Sequence, residues 1–317
     1  MMPEVPSGPD HMTPDEFRAA GHATVDWIAD FLAGVADRPI MPDVAPGDVR
    51  ASLPPSPPSV GESFDALLDD VDSLIAPAVT QWQHPGFFGY FPANSSPPSV
   101  LGELVSAGLG VQGMLWSTSP ACTELETHVL DWLAEACGLP DRFRSDGPGG
   151  GVIQDSASSA SLCAVLAARD RSGGSEALPD LRVYTSGQAH SSIEKDVLVA
   201  GFGRHQLRVV PVDGDYAMDA DALARMVEAD LADGLVPCLV VATVGTTSSG
   251  AVDPVARIAE VASAVGAWVH VDSAWAGSAT VCPEHSDLLD GLDRVDSYAF
   301  NPHKWLLTNF DCSAFYV

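Results

Sequence analysis

Short apolar segments alternate with amphipathic segments through the second half of this 317-residue chain. The apolar segments are five or six residues long, as β-strands are, and the segments between them carry apolar residues at helical spacing. In chain order they read GGVIQ, LRVYTS, LRVVPV, CLVVAT, AWVHVD and DSYAF. This alternation predicts βαβ units, and therefore an α/β fold with a mostly parallel central sheet and helices on both faces.

The N-terminal part of the chain is organised differently. The segment TPDEFRAAGHATVDWIADFLAGV predicts a helix with Thr13 as its N-cap and Pro14 at its first position. Residues 39–60 are rich in proline and cannot form a regular helix or a central strand. We therefore expect a helical segment and a proline-rich arm over residues 1–95, followed by a large domain over residues 96–317.

The charge balance restricts the possible partners. The chain carries 43 acidic residues against 15 lysines and arginines, a formal net charge of -28. Such a surface repels phosphate backbones and anionic lipids, so we expect neither nucleic-acid nor membrane binding. No apolar run reaches the roughly 18 residues of a membrane span, and the first residues do not resemble a secretion signal. A cytoplasmic protein is the expectation.

The residues that follow the predicted strands are the candidate site. In a parallel sheet, ligands bind at the edge formed by the carboxyl ends of the strands. Hydroxyl-rich loops, DSASSAS and VGTTSSG, follow the first and fourth strands. His190 follows the second strand, Asp272 ends the fifth, and Lys304 lies just after the sixth. We expect these groups to gather at one edge of the sheet.

The chemistry of these groups indicates a pyridoxal-phosphate site. Hydroxyls and helix N-termini bind a phosphate dianion, a carboxylate holds a protonated ring nitrogen, and a lysine amine forms an imine with an aldehyde. Each group alone has an ordinary structural explanation, but their coincidence at successive strand ends favours the cofactor. The only other lysine, Lys195, follows a predicted capping box of Ser191 and Glu194 and is interpreted as solvated.

At these residues the chain resembles the group II pyridoxal-phosphate decarboxylases, the aromatic-L-amino-acid decarboxylase family. The resemblance lies in HPGFFGYFP, SPACTELE, GGGVIQDSAS, QAHSSIEK, VATVGTTSSGAVDP, HVDSAWAGS and FNPHKWLLTNFDCSAFYV, in family order from about residue 80 onward. It implies the fold type I (aspartate aminotransferase-like) architecture and a homodimer with sites at the interface.

The resemblance also implies roles for single residues. Lys304 would form the imine with the cofactor, Asp272 would hold the ring nitrogen, and His190 and Ala274 would pack on opposite faces of the ring. The phosphate would be held by Ala157, Ser158, Thr247 and Asn301, with His303 beside it. The substrate pocket would contain Trp82, Tyr90 and Phe91, with Gln112 and Met114 from the other subunit. No metal site is expected.

Four features depart from the family pattern. Gln112 and Met114 replace residues that are apolar or aromatic in animal relatives, which leaves the exact substrate open. Asp155 stands where the phosphate loop has glycine, and since a carboxylate facing the phosphate would be unfavourable, we expect it to point away. Ser273 and Trp275 replace an alanine and a tyrosine and are expected to reshape the pocket wall. Relatives continue beyond the last strand through a mobile loop with a catalytic tyrosine and a small C-terminal domain. We therefore expect the chain to be truncated.

For an intact enzyme, the resemblance implies decarboxylation of an L-amino acid to the amine and CO2. The aromatic residues of the pocket favour an aromatic substrate of the tryptophan, tyrosine, phenylalanine or DOPA type. Three alternatives stay open: an aldehyde-forming relative in which oxygen reacts, a decarboxylase of non-aromatic amino acids, and a catalytically inert dimerisation or binding module.

Overall fold

The computed structural model describes residues 12–91 and 94–317. The chain divides into two compact units, Met1–Pro92 and Ala93–Val317, which are described separately.

The first unit is helical with an irregular proline-rich connection. Its helices are α1 (Pro14–Ala33), α2 (Asp48–Ser52) and α3 (Phe64–Asp70), the last continuing into a π-helical turn over Val71–Ile75. The predicted N-cap is confirmed, because the Thr13 hydroxyl accepts the backbone N–H of Glu16 and the Glu16 carboxylate accepts that of Thr13. The indole N–H of Trp27 donates to Asp72 at 3.1 Å and holds α1 near the end of α3.

The second unit is a seven-stranded sheet with helices on both faces. The strands are β1 (Gly151–Gln154), β2 (Leu181–Ser186), β3 (Leu207–Val210), β4 (Val236–Thr243), β5 (Trp268–Asp272), β6 (Ser297–Phe300) and β7 (Ser313–Tyr316). The helices are α4 (Pro97–Leu109), α5 (Pro120–Ala136), α6 (Ala157–Arg171), α7 (Gly174–Ala177), α8 (Ser192–Val199), α9 (Ala220–Ala232), α10 (Val255–Ser263) and α11 (Pro302–Trp305). All six strands predicted from the alternation are present, so the α/β prediction is confirmed.

The strand order is β1-β7-β6-β5-β4-β2-β3. The neighbours from β6 through β3 are parallel, whereas β7 pairs antiparallel with both β6 and β1. Two successive antiparallel pairings restore the direction, so β1 runs the same way as β6. The carboxyl ends of β1, β2, β4, β5 and β6 consequently lie along one edge of the sheet.

The core has two layers, one on each face of the sheet. On one face, Leu130 of α5, Leu223 of α9 and Ile258 of α10 are fully buried in a single apolar cluster. On the other face, Val165 of α6 and Val197 of α8 pack with strand residues in a second cluster. Helices thus cover both faces, as predicted for a mostly parallel sheet.

Helix α4 differs from the helices that build the core. None of its thirteen residues, all in the described part of the chain, is buried. Its exposed apolar side chains include Leu101, Leu104, Val105 and Leu109, each about half exposed or more. Within residues 12–91 and 94–317, no helix combines the length and apolar character that crossing a membrane requires.

Candidate active site

Asp272 and Lys304 are brought together by the neighbouring strands β5 and β6. Asp272 is the last residue of β5, and Lys304 lies in α11, the single helical turn that follows β6. The backbone N–H of Ser273 donates to the carbonyl of Ala299 at 2.9 Å, and that of Asn301 donates to the carbonyl of Ala274 at 3.0 Å. These bonds fix the loop after β5 against the turn after β6.

Lys304 is half-buried. Its backbone N–H donates to the carbonyl of Asn301 at 3.0 Å, which holds the turn of α11 closed. Burial lowers the pKa of Lys304, and the negative charge of Asp272 acts in the opposite direction. A larger fraction of this amine is therefore neutral, and nucleophilic, than in a solvated lysine.

Asp272 is buried, with 4% of its surface exposed. One carboxylate oxygen accepts the backbone N–H of Ala274 at 3.0 Å, which orients the group at the strand end. In the sheet, Asp272 is in register with Thr243 of β4 and Ala299 of β6. A buried carboxylate held in this way is suited to a cation, such as the protonated nitrogen of a pyridine ring.

Asn301 and His303 flank the lysine and are both buried. The Oδ1 atom of Asn301 has no hydrogen-bond partner among the described residues, which leaves an amide position open for a ligand. The Nδ1 atom of His303 accepts the backbone N–H of Cys312 at 2.9 Å, and its ring packs on Phe310 at 4.4 Å. Burial, followed by the positive charge of Lys304, lowers the pKa of His303, so this ring is a neutral support at neutral pH.

His190 and Thr247 are exposed on the loops that follow β2 and β4. The Nδ1 atom of His190 accepts the backbone N–H of Ser192 at 3.2 Å, so the proton of the neutral ring is on Nε2. The hydroxyl of Ser249 donates to the side chain of Gln188 at 3.4 Å and connects the two loops. Both predicted residues therefore belong to connected loops at the same edge as Asp272.

The N-terminus of α6 lies at the same edge, because α6 follows β1. Ser156 is the N-cap, and its hydroxyl and that of Ser159 exchange hydrogen bonds with each other's backbone N–H in a capping box. The backbone N–H groups of Ala157 and Ser158 are in the first turn, where the helix has no carbonyl to accept them. This first turn has the properties of a phosphate-binding helix terminus.

The Asp155 carboxylate is hydrogen-bonded to side chains of this turn, and its orientation relative to a bound phosphate stays a prediction. The carboxylate accepts the hydroxyl of Ser159 at 2.6 Å and the hydroxyl of Ser156 at 3.2 Å. The bond from Ser159 is the main cause of a lowered pKa for Asp155, so the group is ionised at neutral pH. Local hydroxyl donors hold the carboxylate beside the helix start, which itself attracts negative charge.

Two tryptophans next to the site form a contact that the sequence pattern did not reveal. The rings of Trp275 and Trp305 stack with centroids 5.5 Å apart. The indole N–H of Trp305 donates to the carbonyl of Trp275 at 2.5 Å. The two tryptophans thus form a clasp, a side-chain connection between the loop after β5 and the turn that carries Lys304; the expected change of the pocket wall stays a prediction.

The predicted substrate residues lie in different parts of the chain. In the first unit, Trp82 stacks on Tyr90 with centroids 5.8 Å apart, and Phe91 follows as a half-buried residue. In the second unit, Gln112 and Met114 are exposed in the loop after α4. The first group is an aromatic cluster in its own unit.

An amine, a carboxylate and a helix N-terminus therefore share one edge of the sheet, with Asn301 and the hydroxyl-rich loops beside them. This donor set fits pyridoxal phosphate, since each chemical group of that cofactor has a matching partner. Within residues 12–91 and 94–317, no cluster of three or more histidine, cysteine, aspartate or glutamate side chains is arranged to hold a metal ion.

Comparison with known proteins gives a consistent result. The model of the pyridoxal-dependent decarboxylase conserved domain matches residues 46–317. The chain is 48% identical over 311 residues to a phenylacetaldehyde synthase of Arabidopsis thaliana, covering 96% of this chain and 64% of the relative. It is 45% identical over 319 residues to the aromatic-L-amino-acid decarboxylase of Bos taurus, covering 96% of this chain and 65% of the relative. The chain thus spans slightly less than two thirds of these relatives.

Solved structures agree with the fold. Tryptophan decarboxylase of Catharanthus roseus in complex with L-tryptophan superposes with a TM-score of 0.94 at 41% identity, covering 97% of this chain and 67% of that chain. A mouse protein described as CSAD superposes with a TM-score of 0.86 at 30% identity, covering 96% of this chain and 65% of that chain.

Proposed function

The chain belongs to the pyridoxal-dependent decarboxylase family, and we propose that it is the cofactor-binding part of an enzyme that decarboxylates an L-amino acid. The observation that carries the proposal is the placement of Lys304 and Asp272 at neighbouring strand ends, with backbone hydrogen bonds between their loops. We place the cofactor-binding domain at residues 96–317, and the helical segment with the proline-rich arm at residues 1–95.

When bound, pyridoxal phosphate supplies an electron-accepting ring that holds the electron pair left on Cα as CO2 departs. In this proposal Lys304 would hold the cofactor aldehyde through its neutral amine. Asp272 holds a proton on the ring nitrogen. His190 and Ala274 orient the ring by packing on its two faces.

The same proposal assigns the phosphate to the α6 terminus and its neighbours. The first-turn N–H groups and the Ser158 hydroxyl donate to it, and Thr247 and Asn301 complete the donors. In this assignment the Asn301 amide N–H group would be the donor; its open Oδ1 atom is an acceptor and is left for a different group of the ligand. His303 holds this region in place through Cys312.

We propose an aromatic amino acid as the substrate. The stacked rings of Trp82 and Tyr90 support this choice, as do relatives named for aromatic amino acids, tryptophan and tyrosine. A panel of L-tryptophan, L-tyrosine, L-phenylalanine and L-DOPA, with L-glutamate as a non-aromatic control, tests it by CO2 release. Faster turnover of the control would overturn the aromatic assignment.

A second candidate reaction forms an aldehyde. The similarity to a phenylacetaldehyde synthase, and to a 4-hydroxyphenylacetaldehyde synthase of Rhodiola rosea at 40% identity and a TM-score of 0.94, supports it. The two reactions share the loss of CO2 and differ in whether Cα takes a proton or reacts with oxygen. Measuring amine, aldehyde and oxygen consumption in one assay separates them, because a simple decarboxylase consumes no oxygen.

We further propose a homodimer in which a second copy covers α4. The exposed apolar row Leu101, Leu104, Val105 and Leu109 supports it, since an exposed apolar patch of this kind marks an interface. Sedimentation should give twice the chain mass, and Leu104→Glu should shift the protein to the monomer. A monomeric wild-type protein would overturn the homodimer. Absence of decarboxylase activity, in a monomer or in a dimer, would favour the inert-module alternative.

A cytoplasmic location is part of the proposal. All six cysteines lie in the described part of the chain and are free thiols, as is usual in a reducing compartment.

A further inference from the structure

Asp196 is a buried carboxylate that none of the assignments above uses. It lies in α8 between Ile193 and Val197, which belong to the apolar core, and only 7% of its surface is exposed. Its Oδ2 atom has no hydrogen-bond partner among the described residues. A carboxylate in this position costs free energy unless it is protonated or close to a cation.

The side of α8 that carries Asp196 faces the sheet surface on which Asp272 lies. Val197 of α8 and Val241 of β4 share one core cluster, and residues two apart in a strand point to the same side. Thr243 therefore points to the side of Val241, and Thr243 is in register with Asp272. The hydroxyl of Thr243 is also buried without a partner among the described residues.

The charges around Asp196 are few. Burial, followed by the negative charge of Asp272, raises the pKa of Asp196 to about 7, and Lys195 on the same helix acts in the opposite direction. Helix α6, which packs on α8, presents Arg169, but this guanidinium binds Asp170 and the carbonyl of Ala200.

The other charged groups on the described neighbouring elements act elsewhere. From α11, Lys304 acts on Asp272. From β2, Arg182 and Tyr184 act on Asp230. From β5, His270 bonds to Ser297 and Ser161, and burial lowers its pKa to about 4, so it is neutral at neutral pH. The main electrostatic neighbour of Asp196 is thus a second carboxylate.

We propose that Asp196 is a positioning residue that acts through Asp272, forming with it an acidic pair whose second negative charge strengthens the hold of Asp272 on a cation. Two neighbouring carboxylates in a low-dielectric site ionise together only at a cost, and a cation beside them removes that cost. On the proposed function, this cation is the protonated ring nitrogen of pyridoxal phosphate. Ionised Asp196 then favours the protonated, electron-accepting ring.

The coupling of the two carboxylates is tested first without cofactor. Unfolding by urea is measured from pH 4 to pH 8 for the wild type, Asp196→Asn, Asp272→Asn and the double variant. A raised folded-state pKa means that the folded protein keeps a proton which the unfolded chain loses. Asp196 therefore favours folding at low pH, and this contribution declines as the pH rises from about 4 to about 7.

Burial also raises the pKa of Asp253, to about 6, but Asp253 is present in both the wild type and Asp196→Asn. The difference in unfolding free energy between these two proteins therefore isolates the contribution of Asp196. The same comparison is made between Asp272→Asn and the double variant. There the pH-dependent decline in unfolding free energy should be complete at a lower pH, because the neighbouring negative charge of Asp272 is gone. An unchanged profile in the Asp272→Asn background would overturn the coupling. If Asp196→Asn does not fold, Asp196→Ser replaces it.

The effect on the cofactor is tested by ligand binding. The affinities for pyridoxal phosphate and for its 1-deaza analogue, which has carbon in place of the ring nitrogen, are measured by tryptophan fluorescence. Asp196→Asn should weaken the binding of pyridoxal phosphate about tenfold, equivalent to about 1.4 kcal/mol, and should leave the binding of the analogue unchanged. Equal losses for both ligands would reduce Asp196 to a structural role and overturn the proposal.

Asp230→Asn is the matched control. Asp230 is also a buried aspartate, but it binds Arg208 and Tyr184 on the β3 side of the sheet. Its substitution should lower the free energy of unfolding and should change the affinities for pyridoxal phosphate and for the 1-deaza analogue equally. A wild-type protein that binds neither ligand would refute the proposed function and the role at the ring nitrogen, and the cofactor-free measurements would still decide whether the carboxylates are coupled.

Discussion

The indole N–H of Trp305 donates to the backbone carbonyl of Trp275 at 2.5 Å, and the two rings stack. One tryptophan follows Lys304 directly, and the other lies three residues after Asp272. The pair therefore adds a side-chain connection to the backbone bonds between these two segments. We therefore expect the pair to influence how rigidly the lysine is held relative to the carboxylate.

Trp305→Phe keeps a stacking ring and removes the indole donor. We expect a loss of about 1 kcal/mol in the free energy of unfolding, the usual contribution of one hydrogen bond. Binding of pyridoxal phosphate should weaken in parallel, because Lys304 is less firmly placed. Urea denaturation and cofactor titration measure the two effects, and Trp116→Phe, in another exposed loop, is the control. Unchanged cofactor affinity would show that the clasp does not serve the site.

Asp155→Asn removes a negative charge from the first turn of α6. If this turn binds the cofactor phosphate, the substitution should tighten pyridoxal-phosphate binding roughly three- to tenfold, as expected for one charge at a helix terminus. Asp170→Asn, near the other end of the same helix, should change the affinity little. Weaker binding in Asp155→Asn would mean that the carboxylate supports the turn through Ser156 and Ser159 more than it opposes the phosphate.

The reactivity of Lys304 should depend on pH in a particular direction. Its neutral amine reacts, so imine formation should increase as the pH rises through a midpoint below that of an ordinary lysine. Asp272→Asn removes the charge that holds this pKa up, and the midpoint should move lower still. Stopped-flow absorbance after mixing with pyridoxal phosphate measures it. A higher midpoint in the variant would contradict the assigned interaction of Asp272 with Lys304.

Much of this arrangement could be predicted from residue patterns. The strand-end rule placed His190, Asp272 and Lys304 at one edge, because parallel strands align their carboxyl ends. The position of α6 at that edge depends on β7, which pairs antiparallel on both sides and restores the direction of β1. Pairing partners far apart in the chain leave no local pattern, so this order could not be obtained from the alternation.

The prediction from the sequence that the structure contradicts has a local physical cause. The capping box predicted for Ser191 and Glu194 is wrong, because Ser191 has helical backbone angles and makes no side-chain cap, while Glu194 pairs with Arg204. Lys195 is exposed, as interpreted. For Asp196 the sequence does contain a signal, a charged residue beside the apolar positions 193 and 197 of a short helix.

The central claim is that Lys304 forms the covalent link to pyridoxal phosphate. The most direct measurement is to incubate the protein with pyridoxal phosphate, reduce it with borohydride, digest it and locate the label by mass spectrometry. The chain has only two lysines, so Lys195→Arg and Lys304→Arg complete the design. We predict a label on Lys304 that persists in Lys195→Arg and disappears in Lys304→Arg. A label on Lys195, or no label on either lysine, would contradict it.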